Sequence, residues 1–297
     1  MPKSHGRKQY RSSRPRGRSG DPRKQPAAHL TARCERIFAR ISGIAGPGTA
    51  AEEQSVPRLL PSVLELTAAQ RGEPFDDCLA ACETLRHAYT LVGIAAETRA
   101  VDLYVRDRTT GSGVLHGTPD PSWTGPRHDG HCAVWLPGAR MFVDPTVERF
   151  PEVARLGVGP VFGRSLAVLG EPAALARAEE GALPAGAELN MDREHLLLMY
   201  NVADERATRV LLGHPRVASR ADDLRRAGAN LAGLSLEALR VLGSWDEART
   251  GTPYPKVRAY LEALDGSPCL TGDPDVRFLV RGLGGIERRL RLDEVPL

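Results

Sequence analysis

The sequence predicts an α+β fold in which helices pack against an antiparallel sheet. Apolar residues recur at helical spacing through residues 28–92, and three short runs at 96–105, 131–136 and 140–144 alternate as strands do. From about residue 171 onward the pattern is mostly helical again. The chain has 297 residues and 41% hydrophobic side chains, which is enough to bury a sizeable core.

The first 26 residues differ in composition from the remainder. They hold nine Lys or Arg against one Asp, so residues 1–26 are predicted to be a disordered basic tail with a net charge of +8. Since the whole chain has a formal charge of +3, residues 27–297 have a net charge of −5. Such a tail either makes a weak contact with a polyanion or only keeps the chain in solution.

Three helices are predicted before the first strand. A stripe of apolar residues from Leu30 to Ile41 predicts the first helix, and the run 56–66 predicts a second one that is broken or kinked at Pro61. The third is predicted over residues 77–92 and ends at Gly93, which suits a left-handed cap.

The strands are predicted in the middle of the chain. Residues 96–105 alternate weakly and form the first strand, and residues 107–130, rich in Gly, Pro, Thr, Asp and Ser, form a surface loop. The strands at 131–136 and 140–144 are joined by a tight turn at 136–139, which makes them a β-hairpin.

The second half is predicted to be a mostly helical extension over residues 166–297. Its helices are expected at 171–180, 192–213, 218–243 and 253–264. Two alternating runs within 276–292 flank four residues that include three glycines, which predicts a terminal β-hairpin. The boundary with the first domain, residues 28–165, is placed at 165/166.

Cysteine usage and hydropathy indicate the compartment. The five cysteines have no framework spacing, so a reduced environment is expected. The basic N-terminus lacks the apolar region of a secretory signal, and no run approaches 18 apolar residues. The sequence therefore predicts a cytoplasmic protein without a membrane partner.

One group of residues indicates chemistry. Cys78 is predicted to begin a helix, with Asp76 or Asp77 as N-cap, and a helix start favours the thiolate. His131 begins one strand of the hairpin and Asp144 ends the other, so the tight turn brings them to one end of the ribbon. A carboxylate there accepts from one ring nitrogen and leaves the other facing a thiol, as covalent acyl transfer requires.

The order and spacing of these residues resemble the transglutaminase-like family, whose core is papain-like. The family pattern is a Cys at a helix start, "LLRALGIPAR" at the helix end, a strand, then "HAW" and "DPT". The matching segments here are Cys78, Leu91-Val92-Gly93-Ile94-Ala95-Ala96, His131-Cys132-Ala133 and Asp144-Pro145-Thr146. The resemblance covers roughly residues 72–147. It departs from the pattern at Cys132 and Ala133, where Ala and Trp are usual.

The resemblance implies a papain- or transglutaminase-like catalytic domain over residues 28–165. Cys78 would be the nucleophile, His131 the base and Asp144 the group that orients the histidine. The reaction would be acyl transfer from a peptide, amide or thioester through a thioester intermediate, by an amidase, protease or transglutaminase-type acyltransferase that needs no cofactor. The backbone N–H of Cys78 is one expected oxyanion donor, and Gln70 is a candidate for the second.

The sequence also allows other hypotheses about function. A non-enzymatic interaction protein on the same fold would show a Cys78 that is buried or turned away from His131, and a polyanion-binding protein would act through the basic tail. A zinc site built from Cys78, Cys82, His128, His131 and Cys132 is not predicted, because Cys132 should point away from His131. Trp123, in the loop before the hairpin, is expected either to pack on substrate or to pack within the protein.

Overall fold

A computed structural model describes residues 26–72, 77–164, 166–168, 172–271, 275–281 and 286–297. The predicted basic tail, except for its last residue, and the turn of the predicted terminal hairpin lie outside the described residues. The described chain is an α+β structure in which an antiparallel sheet packs against helices, as predicted.

The helices agree with the predicted ones over the first hundred residues. They are α1 (Pro26–Ala45), α2 (Ser55–Arg71), α3 (Cys78–Leu91), α4 (Pro151–Ala154), α5 (Pro172–Glu179), α6 (Glu205–Leu212), α7 (Pro215–Ser219), α8 (Ala221–Val241), α9 (Trp245–Gly251) and α10 (Pro255–Ala263). Helix α2 runs through Pro61 to Arg71, further than predicted. Helix α3 is followed by Gly93 at φ 81°, the left-handed conformation that was expected there.

The strands form one large sheet and two small ones. They are β1 (Glu97–Asp107), β2 (Gly113–His116), β3 (Ser122–Thr124), β4 (Arg127–Asp129), β5 (His131–Leu136), β6 (Met141–Asp144), β7 (Val161–Gly163), β8 (Ala167–Val168), β9 (Ala187–Arg193), β10 (Leu196–Val202), β11 (Cys269–Thr271), β12 (Val276–Arg281) and β13 (Glu287–Leu290). The large antiparallel sheet has the order β7-β6-β5-β1-β10-β9-β8, with β2 also paired to β1. Strands β3 and β4 pair with each other, as do β11, β12 and β13 in sequence.

Two predicted segments are wrong. Residues 107–130, predicted as a loop, contain β2, β3 and β4. Residues 192–213, predicted as one helix, contain the end of β9, strand β10 and only then α6. The apolar run of β10 reads as helical because Leu and Met are strong helix formers, but its alternate residues are buried against the sheet, and pairing with β1 decides its conformation.

Two hydrophobic cores lie on opposite faces of the sheet. On one face, Cys132 and Val134 of β5 pack with α2, α3 and α8. On the other face, Ala133 and Trp135 pack with residues of β1, β9 and β10, around which the sheet curls. Strand β5 is therefore buried on both faces. Its first residue, His131, is also buried and interacts with Cys78 at the start of α3.

Helix α8 lies close against α3 and holds it to the sheet. A Cβ on Gly228 would come within 2.9 Å of the Thr84 carbonyl oxygen, so a glycine is needed for this approach. Within the described ranges, none of the helices combines the length and hydropathy that crossing a bilayer requires.

Candidate active site

Cys78 is the first residue of α3, as the sequence predicts. The side chain of Asp77 accepts a hydrogen bond from the backbone N–H of Ala80 at 3.0 Å and so caps the helix. The second oxygen of Asp77 accepts from Arg220 at 2.9 Å. This ion pair offsets the negative charge that the cap places beside the thiol.

His131 and Asp144 form a buried hydrogen-bonded pair. His131 Nε2 lies 2.7 Å from Asp144 Oδ2, and their side chains are 1% and 0% exposed. The same carboxylate oxygen accepts from Tyr200 at 3.0 Å, and Oδ1 accepts from the backbone N–H of Thr146 at 2.9 Å and from its hydroxyl at 3.1 Å. The carboxylate is held by all of these donors, so it fixes the orientation of the imidazole.

Burial and charge act against each other on this pair. Burial by itself would raise the pKa of Asp144, but His131 and the donated hydrogen bonds hold that pKa below its ordinary value. Burial by itself would lower the pKa of His131, but the Asp144 carboxylate and the neighbouring Cys78 outweigh it and raise that pKa. The pair is therefore an imidazolium beside a carboxylate at neutral pH.

The second nitrogen of the imidazole is left for the thiol. His131 Nδ1 is buried and has no hydrogen-bond partner among the described residues. The Cys78 thiol interacts with this ring, since each group shifts the pKa of the other. Gly117 packs against His131. A side chain at position 117 would bring its Cβ within 2.9 Å of the His131 Cβ, so a glycine is needed for His131 to keep this position.

The Cys78 thiol is enclosed in this structure. The sulfur lies 3.3 Å from His128 Nε2 and 4.0 Å from the carbonyl oxygen of Gly130, and the residue is 0% exposed. Contact with the Cys132 thiol and burial raise the pKa of Cys78 to about 12, although His128 and His131 oppose that shift. The thiol is therefore neutral in this closed arrangement.

Strands β3 and β4 pair with each other, and His128 of β4 covers the Cys78 sulfur. We call residues 122–129 the cover hairpin. Trp123 in β3 stacks on His214 with ring centroids 4.0 Å apart and donates its indole N–H to the carbonyl of Val210 at 3.2 Å. The Trp123 ring also lies 5.4 Å from the ring of His128, the residue that touches the thiol. Through these two contacts of Trp123, the cover hairpin packs against α6 and the start of α7.

A cavity of about 610 Å³ lies beside the cover hairpin. It is bounded by the start of α3, the cover hairpin, the segment after β6 and the region of α7 and α8. Its charged lining residues are Asp77, Arg127, Arg149, Arg216 and Arg220. His128 lines this cavity and also contacts Cys78, so it separates the cavity from the thiol.

The structure adds two residues to the three that the sequence predicts for the site. Tyr200 reaches Asp144 from β10, which was predicted to be helical, and His128 contacts the thiol from what was predicted to be a solvated loop. Gln70 is exposed near the end of α2. Among the described residues, no His, Cys, Asp and Glu side chains form a group arranged to hold a metal ion.

Comparison with known proteins finds no match: no family model, no curated protein and no solved structure is significantly similar to this chain. The class of protein must therefore be argued from the residues of the site.

Proposed function

We propose that this chain is a cysteine-dependent acyl-transfer enzyme with a papain- or transglutaminase-like core. Cys78 is the nucleophile, His131 the general acid and base, and Asp144 the residue that orients the imidazole. The observation that supports this most is the buried His131–Asp144 pair, whose remaining nitrogen has no hydrogen-bond partner and whose ring interacts with a thiol at a helix start. A buried unpaired nitrogen is costly, so its placement beside a thiol favours a catalytic role.

Acylation begins with the thiolate of Cys78. Once the site opens, the thiol gives its proton to solvent water, because His131 already has both of its protons. The thiolate beside the His131 imidazolium then attacks the carbonyl carbon of an amide or thioester. The electron pair of the carbonyl moves to oxygen, where the backbone N–H of Cys78 donates to it, because the first N–H groups of a helix have no intrahelical acceptor. The bond to the leaving amine or thiol then breaks, and His131 gives that group its proton.

Deacylation reverses these roles. The product of the first half is a thioester on Cys78 and a neutral His131. Water or an amine gives a proton to His131 and attacks the thioester carbonyl, and Cys78 leaves as the thiolate. Asp144 stays ionised throughout and stabilises the imidazolium in each half of the reaction.

The closed arrangement is a resting state in this proposal. A thiol with a pKa of about 12 is ionised in only about one molecule in 10⁵ at pH 7. Moving His128 and the cover hairpin outward would hydrate the thiol and admit a carbonyl to it. Hydration removes the part of the pKa shift that comes from burial.

A non-enzymatic interaction protein is the second candidate. It is favoured by a specific observation, since Cys78 is fully buried and its thiol is neutral. Buried cysteines of this kind are commonly inert core residues. Contact of the thiol with two histidines, one of them paired with a buried carboxylate, is not needed by an inert core cysteine, and this is why we prefer the enzyme.

Acetylation by p-nitrophenyl acetate tests the choice without a known substrate. We expect a burst of p-nitrophenol and an acetyl group on Cys78, located by peptide mass mapping. Cys78→Ser should abolish the burst, and His131→Ala and Asp144→Asn should slow it by roughly 10²-fold or more. Cys269→Ser, which removes a half-buried thiol of β11, is the matched control and should leave the burst unchanged.

The opposite result is equally clear. If acetyl groups distribute over several cysteines at similar rates, and His131→Ala does not change the rate at Cys78, the thiol is not activated. The interaction-protein candidate then stands. Circular dichroism and thermal unfolding of each variant confirm that a lost burst is not a lost fold.

A further inference from the structure

Arginine side chains dominate the cavity beside the cover hairpin. Arg127 comes from β4, Arg149 from the 3₁₀ turn Val147–Arg149, and Arg216 from α7, while Arg220 follows α7. Three separate parts of the chain thus bring guanidinium groups to one concave surface. Such convergence differs from a solvated helix face, where the charges lie along one element.

The positive charge of the cavity is largely uncompensated. Asp77 is the one carboxylate among the residues that line the cavity in the described part of the chain, and it is paired with Arg220. No described carboxylate forms an ion pair with Arg127, Arg149 or Arg216. The guanidinium of Arg149 instead lies 5.5 Å from the centre of the Phe150 ring. Counting charged side chains gives four positive and one negative, a net charge of +3.

The cavity lies next to the proposed nucleophile. His128 is part of its wall and is 3.3 Å from the Cys78 sulfur, and Asp77 and Leu79 of the wall flank Cys78 in sequence. A molecule bound against the arginines is therefore one side chain away from the thiol. At about 610 Å³ the cavity is large enough for a small-molecule group.

We infer that the arginine cavity binds an oxyanion of the acyl donor, a carboxylate or a phosphate, and so selects anionic substrates for Cys78. The inference rests on the proposed function. Guanidinium groups bind both kinds of oxyanion through paired N–H donors, and three unpaired arginines on a concave wall can hold one from several sides. A neutral acyl donor of the same size gains none of these contacts.

A pair of alkylating reagents that differ in charge tests the inference at the thiol. Iodoacetate and iodoacetamide each form a bond from the Cys78 sulfur to carbon as iodide leaves, and only iodoacetate has a carboxylate. We expect the ratio of their rate constants at Cys78 to favour iodoacetate and to fall about tenfold in Arg216→Gln or Arg127→Gln. Arg288→Gln, which alters an exposed arginine of β13 away from the cavity, should leave the ratio unchanged.

A binding measurement that does not depend on Cys78 reactivity completes the test. In ¹H–¹⁵N spectra at constant ionic strength, benzoate and phenyl phosphate should each shift the Trp123 indole resonance saturably, because Trp123 lines the cavity. Benzyl alcohol, which is neutral and of similar size, should not. The tighter of the two anions shows whether the cavity prefers a carboxylate or a phosphate. The shifts should weaken at least about fivefold in Arg216→Gln and persist in Arg288→Gln.

The outcomes separate this inference from the proposed function. Saturable anion binding without acetylation of Cys78 would support the anion site and contradict the proposed enzymatic function. If Cys78 is acetylated but shows no preference for iodoacetate, and the anions do not shift the Trp123 resonance saturably, the proposed enzymatic function stands and the anion site is contradicted. Equal binding of benzyl alcohol and benzoate would likewise overturn it.

Discussion

Tyr200 and Asp144 are joined by a hydrogen bond that spans 56 residues of sequence. The phenol donates to the same oxygen that accepts from His131, so it helps to keep Asp144 ionised and in place. Tyr200 does not reach the thiol in this arrangement. It is a positioning residue, which acts on the proposed reaction through Asp144.

Tyr200→Phe should therefore slow acetylation of Cys78 by roughly threefold to tenfold, since a hydrogen bond to a charged group contributes about 1.5–3 kcal/mol and part of that is retained. The variant removes a bond that lowers the pKa of Asp144, so the acidic limb of the pH–rate profile should move to higher pH. The measurement is the p-nitrophenol burst as a function of pH.

Tyr89→Phe is the matched control for this variant. Tyr89 is also buried and its hydroxyl donates to the carbonyl of Pro57 at 2.5 Å, remote from Asp144. Tyr89→Phe should lose about 1 kcal/mol of unfolding free energy, and Tyr200→Phe about 1.5–3 kcal/mol because its hydroxyl donates to a charged group. An unshifted pH profile in Tyr200→Phe would mean that its role is structural alone.

From the sequence, contacts between site side chains could be predicted only where the two residues lie close together along the chain. His131 and Asp144 lie on one β-hairpin, so strand alternation and a tight turn were enough to predict that they meet. Tyr200 reaches the site from β10, whose conformation depends on pairing with the distant β1, whereas His128 lies in the local β3–β4 hairpin of a segment with loop-like composition. No local pattern marked either of them.

The cover hairpin separates the thiol from the cavity. His128 is the residue of this hairpin that contacts the thiol. His128 has a raised pKa, chiefly through its hydrogen bond with Cys78, and the same hydrogen bond acts to lower the pKa of Cys78. Trp123 fastens the same hairpin to His214 and Val210. Access to Cys78 therefore depends on one short two-stranded element.

His128→Ala should speed alkylation of Cys78 by iodoacetamide at pH 7, by about tenfold or more. Removing the ring uncovers the sulfur, and thiol reactivity depends strongly on access. The loss of one hydrogen bond to the sulfur acts the other way but is the smaller effect. Rates measured by mass spectrometry of the Cys78 peptide check this.

His87→Ala provides the comparison, because His87 is a half-buried histidine of α3 that does not line the cavity. Its alkylation rate should equal that of the unchanged protein. Should His128→Ala react no faster than His87→Ala, the hairpin does not control access to Cys78.

The predicted elements are wrong in segments whose composition is typical of another conformation. Strands β2, β3 and β4 lie in a segment whose Gly, Pro and Ser content is typical of loops. The Leu-rich sequence of β10 predicts a helix, although Tyr200 and Val202 continue the alternating burial of a strand. Helices α1, α2 and α3 were predicted well because their apolar stripes suffice to define them.

A buried carboxylate joins the first two helices through ion pairs. Glu65 of α2 is 4% exposed and forms ion pairs with Arg40 and, at 3.8 Å, with Arg33 of α1. Burial raises the pKa of Glu65 to about 7, with Arg40 lowering it and Glu148 raising it further. The folded chain therefore binds this proton more tightly than the unfolded chain does.

Stability should consequently fall as pH rises from about 4.5 to 7. In that window the unfolded chain has lost the Glu65 proton and the folded chain keeps it, so each rise in pH favours the unfolded state, by at most about 3 kcal/mol in total. Above pH 7 this contribution is constant. Urea unfolding at pH 5 and 7.5 measures it.

Glu65→Gln should remove this part of the pH dependence, while Glu205→Gln, which changes an exposed carboxylate of α6, should retain it. A Glu65→Gln variant with the same slope as the unchanged protein would show that Glu65 is ionised in the fold at all pH values above its ordinary range.

The large sheet is assembled from both halves of the sequence. Strands β1, β5 and β6 precede residue 165, and β9 and β10 follow it. The fold class could be predicted from the periodicity of separate segments, but the strand order could not, because it depends on pairings between segments about a hundred residues apart.

The pairing of β1 with β10 has a consequence for shortened forms of the chain. Seven residues of β1, Val101–Asp107, are paired with β10. A fragment that stops at residue 165 would leave the backbone N–H and C=O groups of this edge without partners, next to uncovered apolar side chains. Open edges of this kind recruit strands from other molecules, so such a fragment would tend to aggregate rather than remain a monomer.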